Sequence, residues 1–181
     1  MLSLPPVDVS IIVTCQDEQS QLRRLLPLLL SQSYEGEYEV IVVDKQGDKD
    51  VAEWLDGIAV DHPNLVHTFC PSTARGIDIH RLALTLGAKA ASHEWLVFLS
   101  AGVGAPSGDW LTRLTASCGD DVDVVIGKTG RKRRWRWPSC NIFRHKFSIF
   151  QPTSSFILCR RNILFQEAPQ IPRKRIIRLS L

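Results

Sequence analysis

The sequence predicts an α/β fold, a mostly parallel sheet with helices on both faces. Short β-branched runs recur through the first 127 residues without polar alternation, as in strands buried on both faces. Segments with apolar residues at helical spacing lie between them. The two kinds alternate along the chain, the pattern of parallel strands joined by helices.

"VDVSIIVT" (Val7 to Thr14) reads as the first strand. "DEQSQLRRLLPLLLSQ" follows as a helix, with Asp17 as its expected cap and Leu22, Leu25, Leu26, Leu29 and Leu30 on one face. Pro27 is expected to kink or split it. "YEVIVVD" (Tyr38 to Asp44) is a second strand that ends in an acid, and "DVAEWLDGI" a short helix closed by Gly57. "LVHTF", "IHRLALTLGAKAAS", "EWLVFLS", "GDWLTRLTASC" and "DVDVVIGK" continue as strand, helix, strand, helix and strand. The five strands are placed near residues 8–14, 39–43, 65–69, 94–100 and 122–126. Beyond them, "TGRKRRWRWPSCN" is basic and aromatic, "TSSFILCRRNILF" reads as a strand entering a helix, and "PQIPRKRIIRLSL" as a loose basic end.

A chain of 181 residues is one domain of ordinary size, divided here into an α/β half, 1–127, and a basic segment, 128–181. The run "LLPLLL" is far below the ~20 residues of a membrane span. The N-terminus lacks the basic start and apolar core of a signal peptide, so a cytoplasmic protein is expected. Five scattered cysteines without a C-x-x-C argue for free thiols in a reducing compartment. His62, His67, His93 and His145 have no ligand spacing, so no metal is assigned to them. From Lys128 onward there are 14 Lys+Arg and one acid, Glu167, while residues 1–127 carry 8 Lys+Arg and 18 Asp+Glu. Such polarity suggests an anionic partner near the C-terminal third.

Three blocks resemble family 2-like glycosyltransferases. "DVSIIVTCQDE" resembles their first strand and loop, and "YEGEYEVIVVDKQGDKD" their second strand. "HRLALTLGAKAASHEWLVFLSAGVGAPSGDWL" resembles their central helix, the strand after it and the next helix. The resemblance implies a GT-A fold, in degenerate or truncated form. It also implies a nucleotide-diphosphate sugar as donor and a glycan or lipid-linked acceptor. Thr14, Cys15, Asp17 and Glu18 follow the first strand, where relatives touch base and ribose; Asp17 and Glu18 also suit a helix N-terminus. Asp44 ends the second strand and reads either as a ribose or base acceptor or as a loop cap. Lys45 stands where the family usually has a second acid. Arg75, His80 and Arg81 lie before and within the central helix, and Arg81 best matches the family's diphosphate-binding arginine.

In that family the strand corresponding to "WLVFLSAG" ends in an Asp-x-Asp pair that holds a divalent cation against the diphosphate. Ser100 and Gly102 stand at the two acid positions. Mg²⁺ and Mn²⁺ want carboxylate oxygens, so neither is assigned and the metal position reads as degenerate. An inverting transferase also needs a general base. Beyond residue 127 only Glu167 is acidic and it matches no family block, so the catalytic residues stay unassigned.

"RKRRWRW" packs Arg131, Lys132, Arg133, Arg134 and Arg136 around Trp135 and Trp137. It is a solvated basic tip, a peripheral contact to anionic membrane, or a nucleic-acid surface. With no nucleic-acid motif visible, the membrane is the preferred functional reading. The same features suit a non-catalytic module that uses the scaffold to bind a partner or membrane.

Overall fold

The structure is a computed structural model that describes residues 6–17, 19–71, 78–101, 107–128, 155–165 and 175–180. Its elements in chain order are β1 (Val9–Cys15), α1 (Gln19–Leu30), β2 (Tyr38–Asp44), α2 (Lys49–Ala59), β3 (Leu65–Phe69) and α3 (Ile79–Ala90). Then come β4 (Trp95–Ser100), α4 (Trp110–Thr115), β5 (Val124–Lys128), β6 (Ser155–Arg160), α5 (Arg161–Phe165) and β7 (Ile176–Ser180). The strands form one sheet in the order β3-β2-β1-β4-β6-β5-β7. Neighbours are parallel except where β6 runs antiparallel to both β4 and β5.

The middles of the central strands are apolar because both of their faces are covered. On one face Val9, Ile11, Val13, Val40, Val42, Val97 and Leu99 pack against α1, α2 and α4. On the other, Ile12, Ile41, Val43, Leu96 and Phe98 pack against α3 and Ile163 of α5. Helix α3 lies very close to the sheet. A Cβ built on Gly87 would fall 2.4 Å from Ile12 Cγ2 and 3.2 Å from Val43 Cγ2, so no larger residue fits there without displacing the strand side chains.

Four sequence expectations need correction. Pro27 does not split α1, which runs unbroken through it; burial of Leu22, Leu25, Leu26 and Leu29 along one stripe outweighs the one lost backbone bond. Gly57 does not close α2. It faces open space, and the helix continues so that Ile58 and Ala59 can pack on the core. Asp17 does not stand at the first turn of α1, which begins at Gln19; its carboxylate instead accepts from Gln46 Nε2 at 2.8 Å. The C-terminal tail is not wholly loose, because Ile176 to Ser180 pair with β5 as the edge strand β7.

Side chains of the basic third tie it to the acidic part of the chain. Arg160 donates to Glu94 Oε1 at 2.5 Å, Val122 O at 3.1 Å and Gly119 O at 3.0 Å, and its guanidinium lies 4.8 Å from the centre of the Trp95 ring. Arg175 Nη2 reaches Asp123 Oδ1 at 2.6 Å. At the amino edge of the sheet Glu39, nearly buried, accepts from Ser10 Oγ and Ser92 N, both at 2.6 Å, which fixes the turn into β4. The four described cysteines are buried. Burial pushes the thiols of Cys118 and Cys159 up to about 12, as befits inert core groups.

Candidate functional site

The sheet runs out to β3 on one side of β1 and to β7 on the other, so the crevice between β1 and β4 is the switch point where open α/β sheets bind ligands. The register brings the predicted residues together at the carboxyl edge. Cys15 lies opposite Asp44, and Thr14 opposite Ser100. Backbone bonds extend this alignment beyond the strands: Lys45 N–H donates to Cys15 O at 3.0 Å, Ala101 N–H to Thr14 O at 3.1 Å, and Cys70 N–H to Asp44 O at 2.8 Å.

Asp44 is 6% exposed, and each of its oxygens accepts a backbone N–H, from Gln46 at 2.9 Å and from Asp48 at 2.6 Å. It therefore caps the loop after β2. Two side-chain bonds join that loop to the one after β1, Gln46 Nε2 to Asp17 Oδ1 at 2.8 Å and Gln19 Nε2 to Asp48 Oδ2 at 2.7 Å. Gly47 adopts φ +69° in the same loop, a left-handed conformation that favours glycine. These links make one rigid wall of the loops after β1 and β2. Sequence reasoning missed Gln19, Gln46 and Asp48; the only local signal was the Gly-Asp pair before α2, a turn followed by a helix cap.

The other wall is α3. Ile12, Val43 and Phe98 face it, so side-chain alternation places Thr14 and Ser100 on the same face, and Lys45 follows the last residue of β2. Following β3, α3 begins at the carboxyl edge. From Gly87, which sits on Ile12 and Val43, His80 is seven residues or about 10 Å nearer that edge. Thr14 and Lys45 lie two residues, about 7 Å, beyond Ile12 and Val43 in the same direction. His80 is half-buried and shares the sheet-facing stripe of Leu84. Burial holds its pKa below the usual imidazole value, Lys45's charge lowers it further, and Asp78 opposes both. Burial likewise raises the Cys70 thiol, with Asp44's charge adding to the effect and Lys45's opposing it. The charge of Lys45 thus acts on both Cys70 after β3 and the first turn of α3.

Thr14 is 1% exposed, and its Oγ1 has no hydrogen-bond partner among the described residues. Cys15 is buried, with Sγ 3.9 Å from Val43 O. Ser100 is half-buried at the end of β4. Arg81 is exposed; its backbone N–H and that of His80 donate to the Asp78 carboxylate that caps α3. Glu18, Arg75, Gly102, Glu167 and the Arg131–Trp137 segment with Lys132, Arg133, Arg134, Trp135 and Arg136 lie outside the described residues. Among the described residues no three His, Cys, Asp or Glu side chains are grouped to hold a metal ion, and no helix is long and apolar enough to cross a membrane.

Solved structures share this fold. The mannosyltransferase PcManGT from Pyrobaculum calidifontis, solved with GDP-Man and Mn²⁺, is 24% identical with a TM-score of 0.57 over 72% of this chain and 37% of its own. S. aureus TarS 1–349 is 17% identical with a TM-score of 0.63 over 96% of this chain and 58% of its own. TarS 1–349 has also been solved with UDP-GlcNAc. Glucosyl-3-phosphoglycerate synthase from Mycobacterium tuberculosis, solved with phosphoglyceric acid, is 15% identical with a TM-score of 0.61 over 97% of this chain and 70% of its own. The chain therefore spans less than two thirds of the first two of these proteins. A search of curated protein sequences gave no match. The model of the glycosyltransferase-like family 2 matches residues 5–164, nearly the whole chain, and by that match the protein belongs to this family.

Proposed function

We propose that this chain binds a nucleotide-diphosphate sugar across the carboxyl ends of β1, β2 and β4 and transfers the sugar to a glycan or lipid-linked acceptor in the cytoplasm. The observation that carries the reading is the switch point between β1 and β4, where the register aligns Thr14 with Ser100 and Cys15 with Asp44 at the carboxyl edge of the sheet. In the transfer the anomeric carbon–oxygen bond breaks and its electron pair goes to the diphosphate. The acceptor hydroxyl forms the new bond and gives up its proton.

A carboxylate-held Mg²⁺ or Mn²⁺ is left out of the proposal because the donor set does not fit one. Ser100 offers a neutral hydroxyl where a hard ion wants a carboxylate, and both oxygens of Asp44 are engaged by loop N–H groups. Calorimetry with UDP-GlcNAc and GDP-Man, in EDTA and in Mn²⁺, tests the reading. The expected result is binding of at least one donor, equally well in both buffers. Failure of both donors in both buffers would sink it, and binding that needs Mn²⁺ would restore the metal. The missing carboxylate also favours a second reading, a non-catalytic module, for which a donor binds and no nucleoside diphosphate is released in the presence of acceptors.

The membrane part of the reading rests on the Arg131–Trp137 composition. Flotation should show binding to vesicles of anionic lipid that weakens with salt and with replacement of Trp135 and Trp137 by alanine. Equal binding to neutral vesicles, or tighter binding to RNA, would exclude it.

A further inference from the structure

A diphosphate seated at the carboxyl edge brings negative charge that a partly desolvated site has to balance. The backbone of α3 is committed elsewhere, since Asp78 Oδ1 already accepts from His80 N at 2.9 Å and from Arg81 N at 3.3 Å. Thr14 and Ser100 contribute hydroxyls. Arg81 and Lys49 are exposed on their helices, whereas Lys45 is half-buried just after β2, and its charge acts on His80 of α3 and on Cys70. Its position is fixed from both sides, by its own N–H on Cys15 O at 3.0 Å and by the capped Asp44 before it. Close by, the buried Thr14 Oγ1 lacks a hydrogen-bond partner among the described residues, as a hydroxyl built to meet a ligand would.

We infer that Lys45 and Thr14 form the anion seat of the donor site, with the Lys45 ammonium taking the place of a divalent cation against the diphosphate. The inference rests on the nucleotide-sugar reading above and assigns within it the group that neutralises the leaving nucleoside diphosphate. An ammonium is a compact point charge that suits phosphate oxygens without needing bidentate geometry. Burial and the charge of Lys45 both lower the pKa of His80.

The test is calorimetric titration of UDP, GDP and inorganic pyrophosphate in EDTA into the full chain and into its Lys45→Met, Lys45→Arg and Thr14→Val variants. Melting curves confirm that each variant is folded. Lys45→Met is expected to weaken diphosphate binding about tenfold or more, the loss of one charge-assisted bond. Lys45→Arg should recover most of that loss, and Thr14→Val should weaken binding less than Lys45→Met. A second readout needs no ligand. NMR titration of the His80 ring should give a higher pKa in Lys45→Met than in the parent, because a neighbouring positive charge has gone. Unweakened diphosphate binding by Lys45→Met, or an unmoved His80 titration, overturns the inference and leaves the nucleotide-sugar reading standing. Failure of UDP-GlcNAc and GDP-Man to bind the parent chain, with EDTA and with Mn²⁺ alike, overturns that reading and the inference with it.

Discussion

Phe156→Ala is expected to lower the stability of the fold by about 3–5 kcal/mol, the range for emptying a fully buried aromatic site. Phe156 is 0% exposed near the start of β6, the strand through which β5 and β7 join the parallel core. Its ring meets Trp110 of α4 edge to face, with centroids 5.5 Å apart at 84°. In register it lies opposite Gly127, and the ring fills the space a side chain there would take: a Cβ on Gly127 would fall 1.7 Å from Phe156 Cζ. Gly127→Ala is therefore severely destabilising on its own, because the ring has Trp110 on its other side. In the double variant the new methyl occupies part of the vacated space, so the loss should be well below the sum of the two single losses. Urea unfolding of the four proteins measures this cycle, and additive losses would show that ring and glycine are not in contact.

The glycine that makes room for Phe156 was not legible in the sequence. "VVIGK" gives a strand, but that Gly127 faces an aromatic from a strand some thirty positions later depends on an antiparallel pairing with no local signature. The same limit explains β7. Its residues "IIRLS" follow a basic run, and only the free edge of β5 and the Arg175–Asp123 pair make them a strand. By contrast β1, β2 and β4 were readable because strands buried on both faces leave uninterrupted apolar runs. Helices α1 and α3 were readable from their periodicity. Pro27 does not split α1 because local propensity is weaker than the burial of four leucines on one stripe.

The site divides in the same way. Its place at the ends of the first, second and fourth strands was implied by the resemblance to family 2-like glycosyltransferases, and the register and backbone bonds bring Thr14, Cys15, Asp44, Lys45 and Ser100 to one edge of the sheet. What the residues do at that place depends on side-chain partners from distant segments. Asp44 could be read as a ribose acceptor or a loop cap from sequence alone, and only the Gln46 and Asp48 N–H groups identify the cap. From sequence His80 was grouped with Arg75 and Arg81 at the central helix, and only the closeness of α3 to Ile12 and Val43, which Gly87 permits, brings it within reach of the Lys45 charge. The buried Glu39 was unremarked because its serine partners come from β1 and from the turn before β4.

Asp44→Ala is the variant in which structure and binding should fail together. The carboxylate is nearly inaccessible and holds two backbone N–H groups, so its removal leaves both donors in a partly buried loop without their acceptor. Bonds to a charged acceptor are worth about 1.5–3 kcal/mol each, so a loss of about 3–5 kcal/mol is expected in urea unfolding. The Asp17–Gln46 and Gln19–Asp48 bonds still tether the loop at its side chains, which favours local loosening over global unfolding. Asp44→Asn keeps one acceptor oxygen but turns an amide group toward the other N–H, and should lose about half as much. Nucleotide affinity should follow the same order, because the loop that loosens also fixes Lys45. Were Asp44 chiefly a ligand for ribose or base, both variants would lose affinity while unfolding at the urea concentration of the parent. Parallel losses of stability and affinity across Asp44→Asn and Asp44→Ala identify the cap instead.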